Sequence, residues 1–247
     1  MKIIKSKYSE LHDVKTVAIL ADPACRTCWG ENTPPLLEHV WRTNRPELFL
    51  VAGDMAINGA FDEYRTFISA LERYPALLAA VPGDHDRPLK VFRSHFGSTR
   101  KVIDAGEWRF IGVNTANRTF PKSEADFLES YIRPNTVIFT HTPPGVEGWT
   151  FHSLQPYYSN RFFSIIDRHK SKIAAAFFGH IHGYSRREHS GVPLFCTGGV
   201  AESYTIRNNG YGSPDSLRMM ILNTGNGRFT TCGVDYPRKS VTFLTPV

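Results

Sequence analysis

Five short apolar runs punctuate the chain, and each leads at once to an acidic or histidine residue. Residues 16–20 lead to Asp22, residues 48–51 to Gly53-Asp54, and residues 77–81 to Gly83-Asp84-His85-Asp86. Residues 137–140 lead to His141, and residues 173–178 to Gly179-His180-Ile181-His182. Runs this short read as strands, and helical periods lie between them. Leu36, Leu37, Val40 and Trp41 share one face, with Thr33 placed to cap and Pro34 in the first turn. Phe61, Tyr64, Phe67, Ile68 and Leu71 define a second helix, and Ser123-x-x-Asp126 has the form of a capping box ahead of Phe127, Leu128 and Tyr131. Further strands are expected at residues 101–104 and 108–114.

After His182 the alternation stops. Residues 185–189, 192–197, 217–223, 229–234 and 240–244 read as consecutive strands separated by Gly-rich turns. An α/β front half with a β-rich tail predicts two stacked mixed sheets flanked by helices. No linker, repeat or low-complexity stretch marks a boundary, so residues 1–247 are expected to form a single domain. Residues 143–160 stand apart, carrying Trp149, Phe151, His152, Tyr157 and Tyr158 between Pro-containing ends. A loop of that length is either a substrate-facing lid or a surface loop pinned by its aromatics.

Loops at the carboxyl ends of neighbouring strands in an α/β sheet meet at one edge. Asp22, Asp54 and Asp84 are spaced by about thirty residues, one strand-helix unit each, as parallel pairing requires. Asp and His collected at such an edge can hold a pair of divalent cations, and such pairs cleave phosphate esters. Singly the motifs are weak, because Gly-Asp pairs are common in turns and a lone histidine is more often a core residue than a ligand. Their order and spacing together carry the signal.

In this order the motifs resemble the calcineurin-like metallophosphoesterase family, over residues 16–196. The family pattern reads Asp-x-His, Gly-Asp, Gly-Asn-His-Asp or Glu, a lone His, and Gly-His-x-His. The resemblance implies a four-layer α/β/β/α sandwich of two mixed sheets, with the metal site at the carboxyl ends of the strands. It implies that Asp22 and His182 bind one metal, that Asp84, His141 and His180 bind the other, and that Asp54 bridges both. His85 is then the histidine that acts without binding metal, and Asp86 the acid behind it. The implied reaction is hydrolysis of a phosphomonoester or phosphodiester by a metal-activated water. Carboxylate and imidazole ligands suit Mn, Fe or Zn.

Two positions depart from the pattern. Residue 24 is Ala where the family has His, leaving a water or the Cys25 thiolate to fill the gap, so a single tightly bound metal is one expectation. Asp84 stands where the family has Asn. Its extra negative charge tightens cation binding, but lowers the pull on a bridging water and repels an incoming phosphate. The alternative function is therefore a binding or regulatory protein on the same fold.

Composition adds exclusions. With 247 residues, 41% of them hydrophobic, the chain can bury a sizeable core. No apolar run approaches the roughly 20 residues of a membrane span, and no apolar h-region follows the basic start, which predicts a cytoplasmic protein. The net charge of +6 is dispersed, compatible with anionic substrates. No dinucleotide loop, Walker loop or specific nucleic-acid motif appears. Cys25-x-x-Cys28 has the form of a redox pair, but a thiol oxidoreductase leaves the five Asp and His segments unexplained. Cys196, inside an apolar strand, reads as a small core residue.

Overall fold

Successive strand residues point to opposite faces, and the strands at residues 16–20 and 48–52 are apolar on both. Val17, Ile19, Leu48 and Leu50 join a cluster with Phe110, Val137, Phe139, Ala175 and Phe177. Ala18, Leu20, Phe49 and Val51 join another, with Leu36, Leu37, Val40, Tyr64 and Phe67. Strands buried on both faces need a covering layer on each side.

The structure is a computed structural model and describes residues 1–23, 29–197, 216–235 and 240–246. Ala24, Cys25 and Cys28 lie outside the described residues. The first half runs β1 (Lys2–Ile3), β2 (Tyr8–Leu11), β3 (Thr16–Leu20), α1 (Trp29–Asn44), β4 (Leu48–Ala52), α2 (Phe61–Glu72), β5 (Leu77–Val81) and α3 (Leu89–Phe96). Then come β6 (Lys101–Ala105), β7 (Trp108–Gly112), α4 (Lys122–Tyr131), β8 (Thr136–Phe139), a 3₁₀ turn (Thr150–His152), α5 (Pro156–His169) and β9 (Ile173–Phe178). The tail is β10 (Tyr184–His189), β11 (Val192–Thr197), β12 (Ser216–Asn223), β13 (Arg228–Asp235) and β14 (Ser240–Pro246).

One sheet has the order β1-β5-β4-β3-β12-β13-β14, the other β10-β11-β9-β8-β7-β6-β2. β3, β4 and β5 are parallel neighbours, as are β7, β8 and β9, while the tail strands add antiparallel edges. Helices α1 to α3 cover the outer face of the first sheet. Leu128 of α4 and Phe162, Ile165 and Ile166 of α5 cover the outer face of the second. The result is the expected α/β/β/α sandwich, with an apolar cluster shared between the sheets.

The sequence expectations need correction at several helices. α1 begins at Trp29 rather than after Thr33, which places Pro34 and Pro35 inside it. Leu36, Leu37 and Val40, all fully buried, anchor it despite two missing N–H donors. The Ser123 capping box does not form. Pro121, fixed at φ −66°, is the residue that caps α4, and Lys122 instead pairs with Asp126 at 2.6 Å. Residues 143–160 are not one loop, since α5 starts at Pro156 and buries Ser159, Phe162, Ile165 and Ile166 at helical spacing.

The β6 residue Lys101 is fully buried, and its ammonium donates to the carbonyls of Ile4 and Phe96 at 2.8 Å and of Ser6 at 3.3 Å. Burial pulls its pKa down to about 8. Between that value and the ordinary lysine pKa the unfolded chain holds a proton that the fold does not. The stability contribution therefore rises with pH across that window. Urea unfolding should show the wild-type stability gaining up to about 3 kcal/mol relative to Lys101→Met from about pH 7 to pH 10.

Candidate metal centre

Parallel strands β3, β4 and β5 end at the same edge as β8 and β9, and the chain must turn sharply there to expose its polar residues. Asp22, Asp54, His180 and His182 do so with φ of 51°, 56°, 70° and 58°. That left-handed region costs a non-glycine residue roughly 1–2 kcal/mol, tolerated where the surroundings over-determine it. Those surroundings are tight. A side-chain carbon at Gly83 would collide with the Asp54 carboxylate, and one at Gly53 with the His141 ring. Both glycines are thus required by close approach of the groups beside them.

Hydrogen bonds tie the strand-end loops together at this edge, both between the two sheets and within one. His141 Nδ1 donates to the Ala52 carbonyl at 2.9 Å, which directs Nε2 towards the carboxylates. The Gly179 N–H donates to the His141 carbonyl at 2.9 Å, and the His180 N–H to both Asp22 oxygens at 3.1 Å. His141 Nε2 lies 2.8 Å from Asp84 Oδ1 and 3.3 Å from Asp54 Oδ2. His180 Nδ1 is 3.0 Å from the same Asp84 oxygen, and His182 Nε2 is 3.4 Å from Asp22 Oδ1.

Three groups bring one ligand atom per residue within 4.8 Å of each other: Asp22, Asp54 and His141; Asp84, His141 and His180; Asp54, Asp84 and His85. Five of the six expected ligands fall into these ligand groups, and the sixth, His182, joins none of them and reaches the cluster through Asp22. The buried His180 Nε2 has no hydrogen-bond partner among the described residues, an atom that an incoming ligand could satisfy. Burial opposes the Asp84 charge, but hydrogen bonds from His141 and His180 outweigh it and hold its pKa far below the carboxylate range. At Asp22 burial is likewise outweighed, by His182 and then His141, and the pKa falls. His141 moves the other way, well above the ordinary imidazole value, because Asp54, Asp84 and Asp22 outweigh its burial. Burial prevails at His180 and lowers its pKa. Clustered oxygen and nitrogen donors of this kind fit divalent transition metals.

His85 and Asp86 take up different positions from the arrangement read in the sequence. His85 is exposed, and its Nδ1 donates to the Ile57 carbonyl at 3.0 Å rather than to Asp86. Asp86 is fully buried and accepts the backbone N–H groups of Asp54 at 2.8 Å, Gly83 at 2.9 Å and Ala56 at 3.1 Å. Burial and the Asp54 charge push its pKa up to about 7, against the backbone donors Gly83 and Ala56. Trp149, which the sequence places in the aromatic stretch of residues 143–160, points into the core. It is fully buried, with its ring centroid 6.0 Å from that of Phe178. One neighbour of the site, Arg118, escaped the sequence reading, and another, His152, was read only as part of the aromatic stretch. Arg118 Nη2 lies 3.5 Å from Asp84 Oδ2, and the His152 ring centroid is 5.3 Å from that of His180. Arg118 follows β7, a parallel strand ending at the same edge, so the strand-end rule that found His141 would have found it.

Residues 15–184 match the calcineurin-like phosphoesterase family, and the chain belongs to it. Solved structures share the fold at low identity. A dimetal phosphatase from Danio rerio is 17% identical with a TM-score of 0.68, over 95% of this chain and 99% of that one. GAP50, the anchor in the inner membrane complex of Plasmodium, is 12% identical with a TM-score of 0.69, over 94% and 89%. Wild-type Vps29 complexed with zinc, from Entamoeba histolytica, is 14% identical with a TM-score of 0.54, over 94% and 98%. No curated protein matches the chain. Among the described residues, no helix is long and apolar enough to cross a membrane.

Removing the Trp149 ring leaves a cavity under the site. Trp149→Ala should lower unfolding free energy by about 3–5 kcal/mol.

Proposed function

We propose that this protein is a metal-dependent phosphoesterase that hydrolyses a phosphomonoester or phosphodiester. The observation that carries this reading is the placement of Asp54, the carboxylate that shares one ligand group with Asp22 and another with Asp84. Asp22, Asp54 and His182 would hold one cation, and Asp54, Asp84, His141 and His180 the other. Two bound cations lower the pKa of a water, neutralise phosphoryl oxygens and steady the leaving group. Mn, Fe or Zn suits this donor set.

The chain supplies the rest. His141 is oriented by its bond to the Ala52 carbonyl, so its ring cannot turn without leaving a buried acceptor unpaired. The Asp54 Oδ1 accepts the His85 N–H at 3.0 Å, which fixes the backbone of residue 85 against that carboxylate. With its Nδ1–H held by Ile57, the His85 ring presents Nε2 as the atom that would protonate the leaving oxygen or bond the phosphoryl group. Asp86 acts through the backbone, by locking the two loops that carry Asp54 and Asp84. No protein nucleophile is needed.

A second reading, a binding or regulatory protein, draws on Asp84. That residue is a carboxylate where the family pattern has Asn, and one of its oxygens meets both His141 and His180. A charge there opposes an incoming phosphate. Hydrolysis of an aryl phosphate and an aryl phosphodiester by metal-loaded protein tests the two readings. Turnover supports the enzyme, and its absence at full metal loading supports the binding protein.

Elemental analysis should find that Asp54→Ala loses both metals, whereas His182→Ala loses mainly one. Equal stoichiometry in the two variants would contradict the bridging assignment. Asp84→Asn removes a unit charge beside the phosphoryl group, a change of roughly 1–4 kcal/mol at short range. At saturating metal its phosphoester turnover should exceed that of wild type by roughly ten-fold or more.

A further inference from the structure

Arg118 is held in front of the candidate centre by a rigid support. Its backbone lies at φ 54°, and its N–H donates to the Thr115 carbonyl at 2.8 Å. Thr115 is fully buried and tied to the strand end that carries His141. Its Oγ1 lies 2.8 Å from Thr140 Oγ1 and accepts the Thr142 N–H at 2.7 Å. The Thr142 hydroxyl returns a bond to the Thr115 carbonyl at 3.0 Å, and Thr140 Oγ1 donates to Val113 at 2.8 Å. On the other side, Arg87 donates to the Ala116 carbonyl at 3.4 Å. The turn and the His141 loop therefore move as one body.

The side chain is loosely held by contrast. It is 48% exposed, and its single contact with Asp84 is a long one at 3.5 Å. Such a pair is weak and easily exchanged. A guanidinium on a fixed turn, loosely bound to a carboxylate at the rim, can trade that carboxylate for an anion that offers two oxygens. Arginine recognises phosphate in this bidentate way, at shorter and stronger contacts than the one it would leave.

We propose that Arg118 is the phosphate-seating residue: it rests against Asp84 and swings to the non-bridging oxygens of a phosphomonoester dianion when substrate enters. The proposal rests on the phosphoesterase reading for the ester, but its anion seat can be measured without turnover. Arg118 also answers the charge that Asp84 adds, since the two together leave the rim neutral. A dianionic monoester has more to gain from the freed guanidinium than a monoanionic diester.

Titration calorimetry of inorganic phosphate into metal-loaded protein decides the matter, with wild type, Arg118→Gln and Arg118→Lys compared. The dissociation constant should rise about ten- to a hundred-fold in the Gln variant and less in the Lys variant. Metal content and melting temperature should stay at wild-type values, because the side chain is half exposed and is not a metal ligand. Where esters are cleaved, the monoester-to-diester ratio of kcat/KM should fall in the Gln variant. An unchanged phosphate constant in that variant overturns the seat and leaves hydrolysis standing. Wild type that binds phosphate but cleaves no ester, with binding lost in the Gln variant, overturns hydrolysis and keeps the seat. A wild type that binds no phosphate, or a Gln variant that loses metal, overturns the seat.

Discussion

Three backbone N–H groups, those of Asp54, Ala56 and Gly83, converge on the Asp86 carboxylate at 2.8–3.1 Å, in a place no solvent reaches. The geometry of the centre depends on this knot. It ties the loop after β4 to the loop after β5, and so sets the distance between Asp54 and Asp84. Each N–H left without its acceptor would cost about 1–3 kcal/mol in such a setting. The collision that a side chain at Gly83 would make with Asp54 shows how little slack the knot leaves.

Around that knot the electrostatics are strained in a productive way. Asp22, Asp54 and Asp84 gather on one side of His141, and their combined field overcomes the burial that would otherwise keep the imidazole neutral. Carboxylates packed this closely need positive charge, which protons supply in one state and cations in another. Arg118 stands at the rim of the same field. The site is thus a concentration of negative potential with a permanent positive group at its outer edge.

Much of this was legible in the sequence, and for a physical reason. Parallel strands buried on both faces must be short and wholly apolar, so 16–20, 48–52 and 77–81 stand out, and whatever follows them lies on one edge. The spacing and order of Asp22, Asp54, Asp84, His141, His180 and His182 needed nothing more. Features set by tertiary context were not legible. Neither α3 nor α5 was read, although Phe162, Ile165 and Ile166 repeat at helical spacing, because the aromatic stretch ahead of them looked like a loop. The start of α1 lies ahead of two prolines, which local rules place at a first turn. The hydrogen bond of His85 to Ile57 joins residues 28 apart, and nothing in either segment announces it.

The candidate ligands are also sorted by sheet. Asp22, Asp54 and Asp84 follow β3, β4 and β5 of one sheet, while His141, His180 and His182 follow β8 and β9 of the other. Hard oxygen donors thus sit on one slab and softer nitrogen donors on the facing slab, with an apolar interface between. A slip of one slab against the other would change every oxygen-to-nitrogen distance together, and leave the spacing within each set untouched. Repacking that interface, far from any polar atom, is therefore a dial on the hard-to-soft balance a cation would meet.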